Sequence, residues 1–304
     1  MVDELKIQLG SPQLDQGIDV LVPTKNNLYL TIQCIDHLYA YTRTPFHLIV
    51  VDSSTDETMI YLRRVQKEHQ NVTVIHQDVM SGNHFFNLAL SHAQTPYLAT
   101  VMNSVQVCPD WENVAIQMMH NDPKIGVIGF KCVFPWGQIE SAGIQMSGYT
   151  PIDMGRDLPG YWLTTMYETP ACQWAFALLR VEAARGRLVD DLYNAHKGWD
   201  DIDNCFVVRK DGWKIMYCGY GVGVHFPRST RGDNGEQARV ENLQNAQIFY
   251  RRWGFWNAFK EANPNALDLV EEKNGLLIKK DLTGMVAQMR TDNNQTDVPA
   301  LRAK

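Results

Sequence analysis

Between residues 18 and 134 the chain alternates apolar runs of strand length with segments of helical period, and this rhythm restricts the fold more than any other feature. IDVLVPT (18–24), FHLIVVD (46–52), NVTVIHQ (71–77), YLATVMN (97–103) and IGVIGFKCVF (125–134) read as buried strands. Between them, apolar residues recur at helical spacing, as with Leu28, Ile32, Ile35 and Leu38 in NNLYLTIQCIDHLYAYT, and again in HFFNLALSHA and ENVAIQMMHN. Ser53 or Ser54 is expected to cap the helix after the second strand, with Asp56 and Glu57 in its first turn. Strands that are apolar on both faces and joined by helical crossovers make a mostly parallel sheet with helices on each side. The expected class is therefore α/β.

After residue 134 the rhythm breaks. Residues 135–170 carry Gly, Pro and aromatics with little period and read as long loops or short antiparallel strands. WAFALLR (174–180) is a strand, DDIDNCFVVRKDG (200–212) a helix stopped by Gly212, WKIMYC and VGVHF (222–226) two apolar runs, and RVENLQNAQIFYRRWG a helix. The 304 residues fit one large domain with an extension. The expected division is a lead-in over 1–17, a domain over 18–255 and a C-terminal helical extension over 256–304. A net charge of −6 argues against broad nucleic-acid or anionic-membrane binding. No apolar stretch is long enough to span a bilayer, and the acidic, mixed N-terminus does not read as a signal peptide. The cysteines (Cys34, Cys108, Cys132, Cys172, Cys205, Cys218) form no CxxC pair and sit mostly in apolar patterns, which suits a reducing cytosol and a cytoplasmic location.

In an open parallel sheet, ligands bind beyond the carboxyl ends of the strands. Polar residues gather there: Pro23, Thr24 and Lys25 after the first strand, Asp52 and Ser53 after the second, Ser81, Gly82, Asn83 and Asn87 after the third, Asn103 and Ser104 after the fourth. Neither GxxxxGK[ST] nor a GxGxxG after the first strand is present, so a nucleotide must be held in another way. Asp52 can accept hydrogen bonds from a base or ribose, or serve as a carboxylate at a helix N-terminus; the residues leave both readings open. Asp200, Asp201 and Asp203 cluster at a helix start, where one acid suffices for capping, so one of them is a candidate general base.

These segments, in this order, resemble a family 2-type glycosyltransferase of the GT-A fold. VVDSSTD is similar to the family's V-V-D-N-x-S-T-D turn, GNHFFN to its G-x-x-x-x-x-N before a short helix, and WGQIESAGIQM to the segment after its fifth strand. VDDLYNAHKGWDDIDNCFVVRKDGW resembles the segment that carries its E-D pair, and VGVHF its late-strand histidine. The agreement spans roughly residues 18–255, with a nucleotide-binding half over about 18–110 and an acceptor half over about 111–255. The resemblance implies a nucleotide-diphosphate sugar as donor and a glycan or other hydroxyl-bearing acceptor, a modified nucleic-acid base not being excluded. It places Pro23, Thr24, Lys25, Asp52, Ser53, Gly82, Asn83, Asn87, Asn103 and Ser104 at the nucleotide sugar. Asp201 would be the general base of an inverting displacement, with Asp200 where the family more often has Glu. Trp174 and Trp199 would flank the acceptor cleft, and His225 would meet the diphosphate or a metal, the competing reading being a core histidine.

The family's metal motif, D-x-D or N-N-D, departs here. Pro-Asp-Trp in NSVQVCPDW fixes the register, and the two acid positions fall on Met102 and Ser104. Hard cations favour carboxylate oxygens, so Mn2+ or Mg2+ is not expected from this position, unless Asp78 and Asp110 rebuild the site. Lys25, Arg228 and Arg231 are then the candidates to neutralise the diphosphate. Two other readings compete. A degenerate glycosyltransferase fold could bind a nucleotide or glycan without turnover. A nucleotidyltransferase would need a Gly-rich basic loop that PTKNN lacks.

Overall fold

The computed structural model describes residues 17–78, 83–188, 192–193, 198–227 and 235–282. The first half alternates as expected: β1 (Ile18–Thr24), α1 (Leu28–Tyr41), β2 (Phe46–Asp52), α2 (Thr58–Glu68), β3 (Val72–His76), α3 (His84–His92), β4 (Tyr97–Val101), β5 (Val105–Val107), α4 (Asn113–Asn121) and β6 (Ile125–Val133). The irregular stretch folds into short strands, β7 (Ile139–Ser141), β8 (Ile144–Ser147), β9 (Thr150–Asp153) and β10 (Met166–Glu168). Then come β11 (Phe176–Arg180), α5 (Val181–Ala184), α6 (Asp200–Lys210), β12 (Lys214–His225), α7 (Gly235–Arg252), α8 (Trp256–Ala262), β13 (Val270–Lys273) and β14 (Leu276–Lys279).

The main sheet runs β10-β12-β6-β11-β4-β1-β2-β3, with β5 beside β12 and β7 beside β6. β4, β1, β2 and β3 are mutually parallel, and β12 is parallel to β6. β11 lies antiparallel between β4 and β6, so the sheet is mixed in its second half. Because strand side chains alternate, each strand feeds two cores. Ile18, Val20, Val22, Leu48 and Val50 pack with Cys34, Leu38, Leu62 and Ile116 of α1, α2 and α4 on one face. Leu21, Ile49 and Val51 pack with Phe86, Ala89, Cys205 and Phe249 of α3, α6 and α7 on the other. The result is three layers, with every helix that bears on the site docked through an apolar stripe.

Three local expectations are corrected. α2 begins at Thr58, not at a serine cap; the Ser54 hydroxyl instead donates to Asp52 Oδ1 (2.6 Å) and accepts from the Asn26 amide (2.7 Å). The two apolar runs after Gly212 form one strand, β12, bulged between Cys218 and Val222. A side chain at Gly221 in that bulge would stand 2.3 Å from the Phe130 ring and 2.5 Å from the Trp111 carbonyl, so only glycine lets β12 close on its neighbours. Finally, among the described residues of the C-terminal extension (256–282) the helix is α8, and β13 and β14 then pair as an antiparallel hairpin where further helix was expected. Within the described residues no helix is long and apolar enough to cross a membrane.

Candidate functional site

The parallel register brings Thr24, Asp52 and His76 side by side at the carboxyl edge of the sheet. Asp52 is fully buried, takes the Ser54 hydroxyl on one oxygen and the His76 ring on the other (Nδ1 to Oδ2, 2.9 Å). A carboxylate buried in such a place needs partners, and these bonds supply them. The turn after β1 is locked to the turn after β2. Asn26 and Asn27 adopt left-handed backbone (φ 56 and 63), the Asn26 carboxamide oxygen accepts the Thr55 amide (2.8 Å), and Asp56 accepts the Asn27 amide (3.1 Å). Ser53 is buried beside Asp52, and its hydroxyl has no hydrogen-bond partner among the described residues. Pro23 is buried and Lys25 exposed at the same edge.

After β4, Met102 is half-buried in the core, while Asn103 turns back to the β1 loop, donating to Thr31 Oγ1 (3.0 Å) and the Asn26 carbonyl (3.3 Å). Ser104 is buried, and its carbonyl accepts the Phe226 amide (2.9 Å), which brings the end of β12 against the end of β4. His225 therefore sits at this edge. Its Nδ1 donates to Glu140 Oε2 at 2.6 Å, both groups being largely buried. His225 is thus neither solvated nor bound to a carbonyl through that nitrogen.

The acids at the start of α6 divide. Asp203 is buried and accepts from Arg252 (2.5 Å) and the Trp253 indole (2.6 Å), fastening α7 to α6. Burial raises its carboxyl above the ordinary carboxylate range, against the pull of Arg252. Asp200 and Asp201 occupy the first turn and are half-buried. Trp199, just before them, holds left-handed backbone (φ 80) and packs on Phe249 and Tyr250. A bulky residue at positive φ costs on the order of 1–3 kcal/mol, and the aromatic packing holds it there. Next in α6, Asn204 exchanges two hydrogen bonds with Asn83 at the head of α3 (2.9 and 2.7 Å), both side chains being buried. This pair ties the first turns of α6, with its acids, to the head of α3. Asn87, one turn further along α3, donates to the Leu188 carbonyl (2.9 Å).

Trp174, expected at the acceptor cleft, lies in the core at 1% exposure, its indole donating to Cys205 Sγ (3.2 Å) and its ring edge-on to Phe86. Gly82, Arg228 and Arg231, with Ser81, lie outside the described residues. Asp110 is paired with Arg43 (3.0 Å), and Asp78 is exposed next to His76; the two are not brought together. Among the described residues no group of three or more His, Cys, Asp or Glu side chains is placed to hold a metal ion. With Asn103 committed to Thr31 and Asn26, and thioether and hydroxyl at the acid positions, these side chains do not make a divalent-metal site by themselves. The partners that sequence reasoning missed are Asn204, Glu140, His76 and Asn26. Glu140 stands in β7, the three-residue segment Ile139–Ser141, whose burial is set by its pairing with β6 and not by a local apolar pattern; once buried, its carboxylate must find a cation or donor.

A mixed sheet with its polar edge built from the ends of β1, β2, β4 and β12, and acids presented by a helix across from that edge, is the arrangement of GT-A glycosyltransferases. The chain belongs to glycosyl transferase family 2, whose sequence model matches residues 19–187. Its fold is similar to that of GalNAc-T7, solved with UDP, GalNAc and Mn2+ (TM-score 0.64, 13% identity, covering 92% of this chain and 54% of that one). It is also similar to the mannosyltransferase PcManGT of Pyrobaculum calidifontis, solved with GDP-Man and Mn2+ (TM-score 0.55, 18% identity, 91% of this chain and 79% of that one). A third similar structure is S. aureus TarS 1–349 with UDP-GlcNAc (TM-score 0.51, 16% identity, 81% of this chain and 74% of that one). In sequence the chain is 22% identical over 276 residues to an uncharacterised protein, y4gI, of Sinorhizobium fredii (strain NBRC 101917 / NGR234), covering 86% of this chain and 30% of that protein's length.

Proposed function

We propose that the protein transfers a sugar from a nucleotide-diphosphate sugar to an acceptor hydroxyl, with inversion at the anomeric carbon. The observation that supports this reading best is the Asn83–Asn204 pair, which sets the α6 acids beside the nucleotide edge of the sheet in a chain of this family. Thr24, Asp52, Ser53 and Asn83 line the donor side, and the unpartnered Ser53 hydroxyl is a group that a bound nucleotide would satisfy. Pro23, Lys25, Asn87, Asn103 and Ser104 complete that side, Asn103 by holding the β1 loop in place. Asp201 removes the proton of the attacking acceptor hydroxyl as the new bond to the anomeric carbon forms and the diphosphate leaves; Asp200 is its neighbour. Asp203 is excluded from that role by its bonds to Arg252 and Trp253.

As the bond from the anomeric carbon to oxygen breaks, the leaving diphosphate gains one unit of negative charge on its terminal phosphate, which must be met by donors. Glu140 engages His225 through Nδ1, which leaves Nε2 as the nitrogen to face a phosphate, and Lys25 supplies a cation at the same edge. Arg228 and Arg231 are proposed for the same task. Since the similar structures hold UDP, GDP-Man or UDP-GlcNAc, uridine and guanosine diphosphates are the first probes.

A thermal-shift panel of UDP, dTDP, GDP, CDP and ADP, each with Mn2+ or EDTA, tests the donor site, because a ligand of the native state raises the midpoint by mass action. One nucleotide shifting the midpoint in EDTA is the expected result. With that donor in hand, Asp201→Asn lowers kcat by about a hundred- to ten-thousand-fold with donor binding retained. Unchanged turnover removes Asp201 from the role. The missing acids at Met102 and Ser104 favour one second reading, binding without turnover; nucleotide binding with no sugar transfer to any acceptor would establish it.

A further inference from the structure

Three aromatic rings stand out into solvent close to the site: Trp136 at 64% exposure, Tyr161 at 79% and Trp162 at 49%. Large rings left in water in one place mark a binding surface more often than chance, since they forgo burial that the core would otherwise offer. We propose that Trp136, Tyr161 and Trp162 form a platform for the pyranose faces of a glycan chain, which makes an oligosaccharide the acceptor class. The proposal rests on the transfer reading above for the role of that glycan as acceptor, not for its binding.

The platform is rigid and its parts are adjacent. Trp136 lies flat on Phe134 (4.5 Å between centroids, 13° between planes), so one face is covered while the exposure shows that the other is open. Its indole N–H donates to Gln138 Oε1 (3.1 Å), and Gln138 in turn donates to the Asp157 carbonyl (2.8 Å) and bridges Pro159. The Gly160 amide donates to the Gly137 carbonyl (2.8 Å). A side chain at Gly160 would stand 2.7 Å from that carbonyl, so glycine is what lets the two loops touch. Beneath them Lys131, 2% exposed, donates to the Gly160 and Trp162 carbonyls and to Thr164 Oγ1 at 2.9–3.0 Å. A buried ammonium committed to the backbone of an exposed aromatic loop fixes Tyr161 and Trp162 before any ligand arrives, which reduces the ordering cost of binding.

The chemistry selects a sugar. Tyr and Trp give large contact area at low rotamer cost and keep a polar handle at the ring edge, which matches a pyranose with an apolar C–H face and a rim of hydroxyls. The neighbours include Gln138, Arg156, Asp157 and Thr164, and the aliphatic surface beside the rings is confined to Pro135, Leu158 and the half-buried Leu163, less than the contiguous aliphatic area that a protein or acyl chain would seek. The location is also continuous with the site. β6 ends at Val133 opposite Val224 of β12, next to His225, and the strand that closes the Trp136 hairpin carries Glu140, the partner of His225.

The test uses the full chain labelled with 5-fluorotryptophan, its 19F resonances assigned by Trp136→Phe and Trp162→Phe. The probes are maltohexaose, cellohexaose, mannohexaose and chitohexaose, with phosphatidylglycerol vesicles as the contrasting surface. The expected result is that at least one oligosaccharide moves both assigned resonances. The triple variant Trp136→Ala/Tyr161→Ala/Trp162→Ala then weakens that oligosaccharide by about tenfold or more. Its unfolding midpoint and its thermal shift with nucleotide stay as in the parent. Movement by vesicles alone, no movement with any oligosaccharide, or equal affinity in the triple variant overturns the proposal. Oligosaccharide binding without any nucleotide shift would uphold the platform and defeat the transfer reading; the reverse pattern would uphold the transfer reading and defeat the platform.

Discussion

Replacing Asn204 by Ala tests whether the site is assembled through a single buried amide pair. Asn83 and Asn204 are 1% and 0% exposed and exchange two hydrogen bonds. Each neutral bond contributes a net of about 0.5–1.5 kcal/mol, so the pair couples by about 1–3 kcal/mol. Truncating one partner also strands polar atoms of the other away from water, which adds about 1–3 kcal/mol. Asn204→Ala and Asn83→Ala are therefore each expected to cost about 2–6 kcal/mol in urea unfolding. The double variant is expected to cost less than their sum by the coupling energy. Because Asn204 shares α6 with Asp201, sugar transfer should fall in the single variants at urea concentrations where the fold is intact. Costs that add to within about 0.5 kcal/mol would refute the argument, since independent sites behave that way.

Asp203→Ala removes the acceptor of Arg252 and Trp253 from a buried position and is expected to cost about 3–5 kcal/mol, read by the denaturation midpoint. Burial raises the folded-state carboxyls of Asp203 and Asp153 above 3.8, so the native state holds these protons more tightly than the unfolded chain. Their contribution is complete below that ordinary value and is lost as pH rises through the raised one; Asp203→Asn should flatten this slope in a pH series of unfolding free energies. In Lys131→Met, three bonds from a charged donor at about 1.5–3 kcal/mol each are offset by recovery of an ammonium desolvation of several kcal/mol. Global stability should thus change little, while amide exchange in residues 160–164 accelerates; unchanged exchange there would show that Lys131 does not hold the loop.

The strand–helix rhythm of residues 18–134 and the polar residues at the strand ends were legible because they are local: period and composition report which face of each element is buried, and the sheet's parallel register then lines up Thr24 and Asp52 without further information. The order of motifs likewise pointed to the family. What the sequence could not say is which of several similar groups would be used up in holding the fold. Asp203 and Asp201 are alike in sequence, yet only the docking of α7 delivers Arg252 and Trp253 to one of them. Trp174 reads as a cleft residue until the insertion of β11 between β4 and β6 carries its neighbourhood into the core. Glu140 and His225 are far apart in the chain and meet because β7 and β12 both pair with β6. Burial and long-range pairing decide these assignments, and both are properties of the closed tertiary structure; local patterns carry the elements but not their partners.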